Sequence, residues 1–219
     1  MDAGEVRSRP LEWYFGQGLP VEGRYDMPLI AAQDVDLETL ALVRFTSIDD
    51  GDAEAGALTV HFFEDDERFD QVWNRPEVQV DRLRAYKQVL SPDFSLFTDR
   101  PVVEQIVNTY RNRWCGALWQ REGLTVIPTA SWSDGASFDF CFDGLEEGSV
   151  VAISTVGVRD LQEGFMRGYR EMVRIVRPET VVCYGTPFEE MAGVVPVVEV
   201  PYLRNAKVAG RLPGGIGGR

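Results

Sequence analysis

Asp93 sits in the segment Leu90-Ser91-Pro92-Asp93-Phe94-Ser95, directly after an apolar run. Pro92 forbids regular helix there and fixes how the carboxyl is presented. The same placement of polar residues after an apolar run recurs along the chain. Asp65 and Asp66 follow Phe63, Ser131 and Trp132 follow Val126-Ile127-Pro128, Ser154 follows Val150–Ile153, and Tyr184 follows Val181-Val182-Cys183. Carboxylates gathered from several such segments suit a hard divalent cation such as magnesium, which takes one or two carboxylates and completes its shell with water and substrate phosphates. Asp93, Asp65 and Asp66 are the candidate metal ligands, and metal-assisted hydrolysis or phosphoryl transfer is the chemistry they would serve. Asp93, Ser95, Ser131, Trp132, Ser154 and Tyr184 form the candidate catalytic or ligand-contacting set, with Trp132 as a stacking surface. Each acid also has a structural reading: Asp65 and Asp66 suit helix N-caps, and Asp93 suits a turn.

Other chemistries find less support. His61, the one histidine, lies inside an alternating run and reads as a packed residue rather than a base. No Gly-x-Ser-x-Gly elbow accompanies it, so Ser-His-Asp and Cys-His mechanisms are disfavoured. Cys115, Cys141 and Cys183 are odd in number and widely spaced, which points to buried thiols rather than a disulfide framework or a zinc site. No Walker A motif and no Gly-x-Gly-x-x-Gly after a strand is present, so nucleotide binding has no motif behind it. Asn108, Arg111, Asn112 and Arg113 lie opposite an apolar helical stripe, where they read as phosphate contacts or as a solvated face.

Charge bounds the partners. The 219 residues carry a net charge of −13, and residues 34–70 hold 12 acids against Arg44 and Arg68. Such a body does not suit adhesion to phosphate backbones, which depends on Lys and Arg. It suits solubility, a divalent metal or a basic protein partner. The basic tail from 203 onward, with Arg204, Lys207, Arg211 and Arg219, gives nucleic-acid binding only slight support. The N-terminal residues lack the basic and apolar regions of a signal peptide, and no apolar run is long enough to span a membrane, so a cytoplasmic chain is expected.

The candidate residues need elements to hold them. Short runs at 40–45, 58–63, 88–90, 124–128, 150–154, 181–184 and 197–200 read as strands. A helical pattern after Asp65 or Asp66 is interrupted by Pro76 and resumes with Val80, Leu83 and Tyr86. The clearest helix is expected between an Asp99 N-cap and Gly123, and another after an Asp160/Glu163 capping box, stopping at Pro178. The first two strands, joined by a short acidic loop, read as antiparallel neighbours. Residues 138–142 alternate as an extended segment, and 186–189 open a short helix.

These repeats predict an α/β fold: a mostly parallel sheet of about six to seven strands, as an open sheet or an incomplete barrel. In either form ligand sites lie beyond the C-terminal ends of the strands. The expected organisation is an irregular segment over 1–35, a single α/β domain over 36–202 and a flexible Gly-rich basic tail over 203–219.

Several segments together resemble a known family. They are His61–Phe69, Leu90–Ser95, Tyr110-Arg111-Asn112-Arg113-Trp114, Val126–Trp132 and Tyr184-Gly185. They are similar to the uncharacterised family called domain of unknown function 4417, over roughly residues 25 to 200. The resemblance implies a phage or mobile-element setting and supplies no activity, cofactor or catalytic residue. Two roles follow. One is a ligand-binding or metal-assisted enzymatic domain working on a small ligand at the strand ends. The other is a non-catalytic phage or mobile-element accessory protein that engages a basic partner through its acidic face.

Overall fold

Seven short segments rich in Val, Ile and Leu run parallel and in chain order. They are β3 (Ala41–Arg44), β4 (Thr59–His61), β5 (Gln88–Leu90), β6 (Val126–Ile127), β7 (Val150–Ser154), β8 (Thr180–Tyr184) and β9 (Val197–Val200). The computed structural model describes residues 9–202 and 207–210. Ladders join β3 through β6 and, separately, β7 through β9. Ala130 donating to Ala152 at 2.9 Å and Ala152 to Pro128 at 2.8 Å stitch the two sheets together. A last strand, β10 (Val208–Gly210), adds antiparallel to β3. Apart from Lys207 and this strand, the 203–219 segment lies outside the described residues.

The sheet curls on itself. Strands β4 and β8 are four positions apart, about 19 Å in a flat sheet. The rings of His61 and Tyr184 nevertheless lie 4.8 Å apart. Alternation supplies the lining: Leu42, Leu90, Ile127, Ala152, Val182, Val200 and Ala209 share one buried cluster that contains no helical residue. A sheet face can be that dry without a helix only if it covers itself. The strands therefore form the incomplete barrel, with residues of opposite parity turned outward.

Helices cover the outside. Before the barrel come α1 (Leu11–Phe15) and the antiparallel pair β1 (Val21–Glu22) and β2 (Met27–Pro28). Tyr14 of α1 is buried among Trp73 and Trp114. Between β4 and β5 lie α2 (Gln71–Asn74) and α3 (Pro76–Leu83), with Pro76 opening α3, where its missing N–H costs nothing. The longest helix, α4 (Val102–Arg121), packs Trp114, Leu118 and Trp119 against the outer face of β3 to β6. Its chain exit uses Gly123 at φ 86°, a conformation open to glycine. The outer face of β7 to β9 is covered by α5 (Gln162–Val176) through Met166, Tyr169 and Met172. No helix among the described residues is long and apolar enough to cross a membrane.

The local readings that fail do so at connections. Strands β3 and β4 are parallel, because 3-10 turns at Phe45–Ser47 and Ala55–Ala57 help carry the chain back without a crossover helix. Residues 135–139 form a 3-10 turn, with Phe140 and Phe142 buried, in place of an extended segment. Neither Asp99 nor Asp160 caps its helix: α4 follows Pro101, and α5 follows a 3-10 turn at Arg159–Leu161. The turn after β8 is 3-10, at Glu189–Met191.

Candidate functional site

Two tight turns build one wall of a pocket at the C-terminal rim. After β4, Glu64 N–H donates to Phe62 O at 2.8 Å, and after β5, Phe94 N–H donates to Pro92 O at 3.0 Å. These three-residue turns stand Phe63 and Asp93 out from the strand ends. Trp132, Ser131 and Ala130 come from the segment after β6. Ser154 is the last inward-facing position of β7, in step with Val150 and Ala152. With Glu64, Asp65, Ser95, Phe97, Val156, Val158 and Phe165 they line a pocket of ≈ 410 Å³. Sites for small ligands fall in this size range.

Asp93 is the unusual group. The residue is partly covered, but its Oδ1 is shut off from solvent and accepts no hydrogen bond. Burial pushes its pKa up to about 7, and the nearby charge of Asp66 adds to the rise. A hydrogen bond from the Ser131 side chain and the charge of Arg113 pull the other way and are outweighed. A carboxyl in this state exchanges a proton near neutral pH.

Asp66 serves a different purpose. Ser95 N–H and Ser95 Oγ both donate to its carboxylate, the hydroxyl at 2.8 Å, while Asn108 Nδ2 donates to Ser95 O at 2.8 Å. Asp65 stands at the start of the 3-10 turn Asp66–Arg68 without capping it, and pairs with Arg68 at 3.3 Å. Among the described residues no three His, Cys, Asp or Glu side chains come together to hold a metal ion. Asp65, Asp66 and Asp93 therefore share a rim without forming a three-ligand centre. Asp66 is turned to Ser95, and Asp65 is turned to solvent.

Trp132 packs on α5, 5.0 Å from the ring of Phe165, over a surface opened by Gly168. Tyr184 does not reach the pocket wall. It is buried at the barrel mouth, stacked 5.2 Å from Phe63 and tilted 4.8 Å from His61. His61 is buried too, and its Nδ1 accepts from Phe63 N–H at 3.2 Å. Burial, then the Arg44 charge, lowers its pKa to about 3, so the imidazole is neutral. All three cysteines are buried and free, with burial raising each thiol.

The polar residues of α4 hold the rim from behind. Ser91 Oγ donates to Asn112 Oδ1 at 2.8 Å and accepts from Thr129 N–H, locking the end of β5 to that of β6. Arg113 is buried, and its guanidinium donates to Thr129 O, Cys141 O, Asp143 O and Asn112 Oδ1. Arg111 pairs with Asp70 and lies 3.8 Å from the Phe94 ring. Asn112 and Arg113 thus neither face solvent nor wait for phosphate. They brace the two segments that carry Asp93 and Ser131. Sequence reading also missed Phe63, Glu64, Phe97 and Phe165 as pocket walls. Phe63 had a signal, since it ends the run 58–63 read as a strand; Phe165 lies on a helix and had none.

In the acidic segment, Asp36, Asp50, Asp52 and Asp70 pair with Lys87, Arg82, Lys207 and Arg111, and Glu64 accepts from Thr46. With Asp65 and Arg68, these ion pairs compensate part of that charge within the chain.

Fold and site together define an α/β protein of incomplete-barrel form with an acidic, aromatic-walled pocket at the strand ends. The chain belongs to the family described as domain of unknown function (DUF4417), which it matches over residues 19–200. It is similar to the Gene 1 protein of Mycobacterium phage L5, at 50% identity over 133 residues, 59% of this chain and 57% of that protein. The Gene 1 protein of Mycobacterium phage D29 is 47% identical over 133 residues, 59% of this chain and 48% of that protein. The chain spans about half the length of the curated relatives it matches. No solved structure matches it.

Proposed function

We propose that the protein binds a small ligand in the rim pocket and performs acid–base chemistry on it through Asp93. One observation carries this reading: Asp93, whose pKa burial raises to about 7, lines a ligand-sized pocket. Ser131 orients the carboxyl, Ser95 and Ser154 offer further polar contacts, and Trp132 with Phe63 gives the pocket its apolar faces. Metal-assisted hydrolysis or phosphoryl transfer draws less from this geometry. It would need magnesium to bind through Asp93 with at most one other acid and water. The acidic-face reading is weakened in turn by the internal ion pairs.

A thermal-unfolding screen against divalent metals, nucleotides and small organic compounds tests the proposal, repeated on Asp93→Asn. A ligand that binds the native state raises the melting temperature by mass action. A shift with an organic compound, lost in the variant, is the expected result. A shift with magnesium alone would restore the metal reading. No shift with any compound would overturn the site and favour a basic protein partner, sought next by pull-down.

A further inference from the structure

We propose that the pocket selects an organic cation bearing N–H donors, an amidinium, guanidinium or primary ammonium, attached to an apolar or aromatic body. The inference rests on the pocket being the ligand site, and it specifies what enters. Glu64, Asp65 and Asp93 stand on the wall, and none of the described residues lining it is Lys, Arg or His. A phosphate or carboxylate entering there would meet three acids and no cation on the wall itself, Arg68 being paired with Asp65 at the exposed mouth. The nearest buried cation, Arg113, is already spent on carbonyl oxygens and Asn112.

The walls favour positive charge as well. Phe63, Trp132 and Phe165 present rings, and aromatic faces attract a desolvated ammonium or guanidinium electrostatically. Asp93 lines the same wall, and a hydrogen bond to its carboxylate requires an N–H or O–H donor on the ligand. That requirement excludes quaternary ammonium ions, which have no proton to give. Charge-assisted N–H to carboxylate bonds are about twice as strong as neutral ones, so the cation gains over its neutral isostere.

A matched series separates charge from shape. Calorimetric titration of the full chain with benzamidine, benzamide and benzoate, and with benzylamine and benzyl alcohol, holds the ring constant while the charge changes. Benzamidine and benzylamine are expected to bind at least about tenfold more tightly than their neutral partners, and benzoate or inorganic phosphate not at all. Asp93→Asn should weaken benzamidine about tenfold or more. Asp65→Lys, at the exposed mouth, should weaken it several-fold without moving the melting temperature. Neutral or anionic probes binding as tightly, with the same loss in Asp93→Asn, would overturn the cation inference and leave the site standing. Failure of every probe, while the broader screen finds an Asp93-dependent ligand, would do the same. Failure in both would remove the site itself.

Discussion

The pocket depends on a residue that never touches a ligand. Gly168 lies on α5 beneath Trp132, and a methyl group there would sit 2.2 Å from the indole. No carbon approaches another so closely, so Gly168→Ala must push Trp132 from its place against Phe165. The expected cost is about 1–3 kcal/mol in urea unfolding, typical of forced overpacking. Binding should fall as well, because the indole forms one wall of the pocket. Gly164, one turn earlier on the same helix, has open space around its Cα. Gly164→Ala should be neutral or stabilising by up to about 1 kcal/mol, the helix-propensity gain. Equal behaviour of the two variants would show that Trp132 is not held by this contact.

At the scale of elements, α4 shows what alternation and periodicity reveal and what they miss. Its apolar stripe was legible because Ile106, Tyr110 and Trp114 recur at helical spacing. The strands were legible too, and the strand-end rule brought Asp93, Ser95, Ser131, Trp132 and Ser154 to one pocket. The role of Asn112 and Arg113 was not legible, because the carbonyls they satisfy belong to Thr129, Cys141 and Asp143, remote in sequence. Periodicity marks which residues share a face; it does not show that a loop will close over a polar one. The brace makes its own prediction. Arg113→Met keeps most of the volume but strips the Cys141 and Asp143 carbonyls of their donor and leaves Thr129 O to Asn112 alone, and should cost on the order of 3 kcal/mol or more in urea unfolding. Arg113→Lys keeps the charge but loses the planar fork, so its loss should be intermediate. If Arg113→Met proved neutral, the buried guanidinium would hold nothing in place.

Over the whole molecule, two buried groups tilt stability in opposite directions with pH. Asp93 holds its proton in the fold up to about 7, against 3.8 in the unfolded chain. The folded state therefore binds the extra proton between those values, and stability falls as pH rises from about 4 to 7. His61 is neutral in the fold down to about 3, against 6.5 unfolded. There the unfolded chain binds the extra proton, so stability rises with pH from about 3 to 6.5 and is lost on acidification. In the shared window the two slopes oppose, and this pair contributes little net pH dependence in the wild type. Asp93→Asn removes one of them. Its stability relative to wild type should climb from pH 4 to 7 and level off above, by at most about 4 kcal/mol. The difference curve, from urea unfolding at matched pH values, cancels ion pairs common to both chains, such as Lys87 with Asp36. Burial chiefly sets the midpoint of the climb, and Ser131, Asp66 and Arg113 adjust it. A flat difference would mean that Asp93 ionises as an ordinary carboxylate, and acid–base chemistry near neutral pH would lose its donor. A climb with its midpoint well above 4 would measure directly how strongly the barrel rim holds that proton.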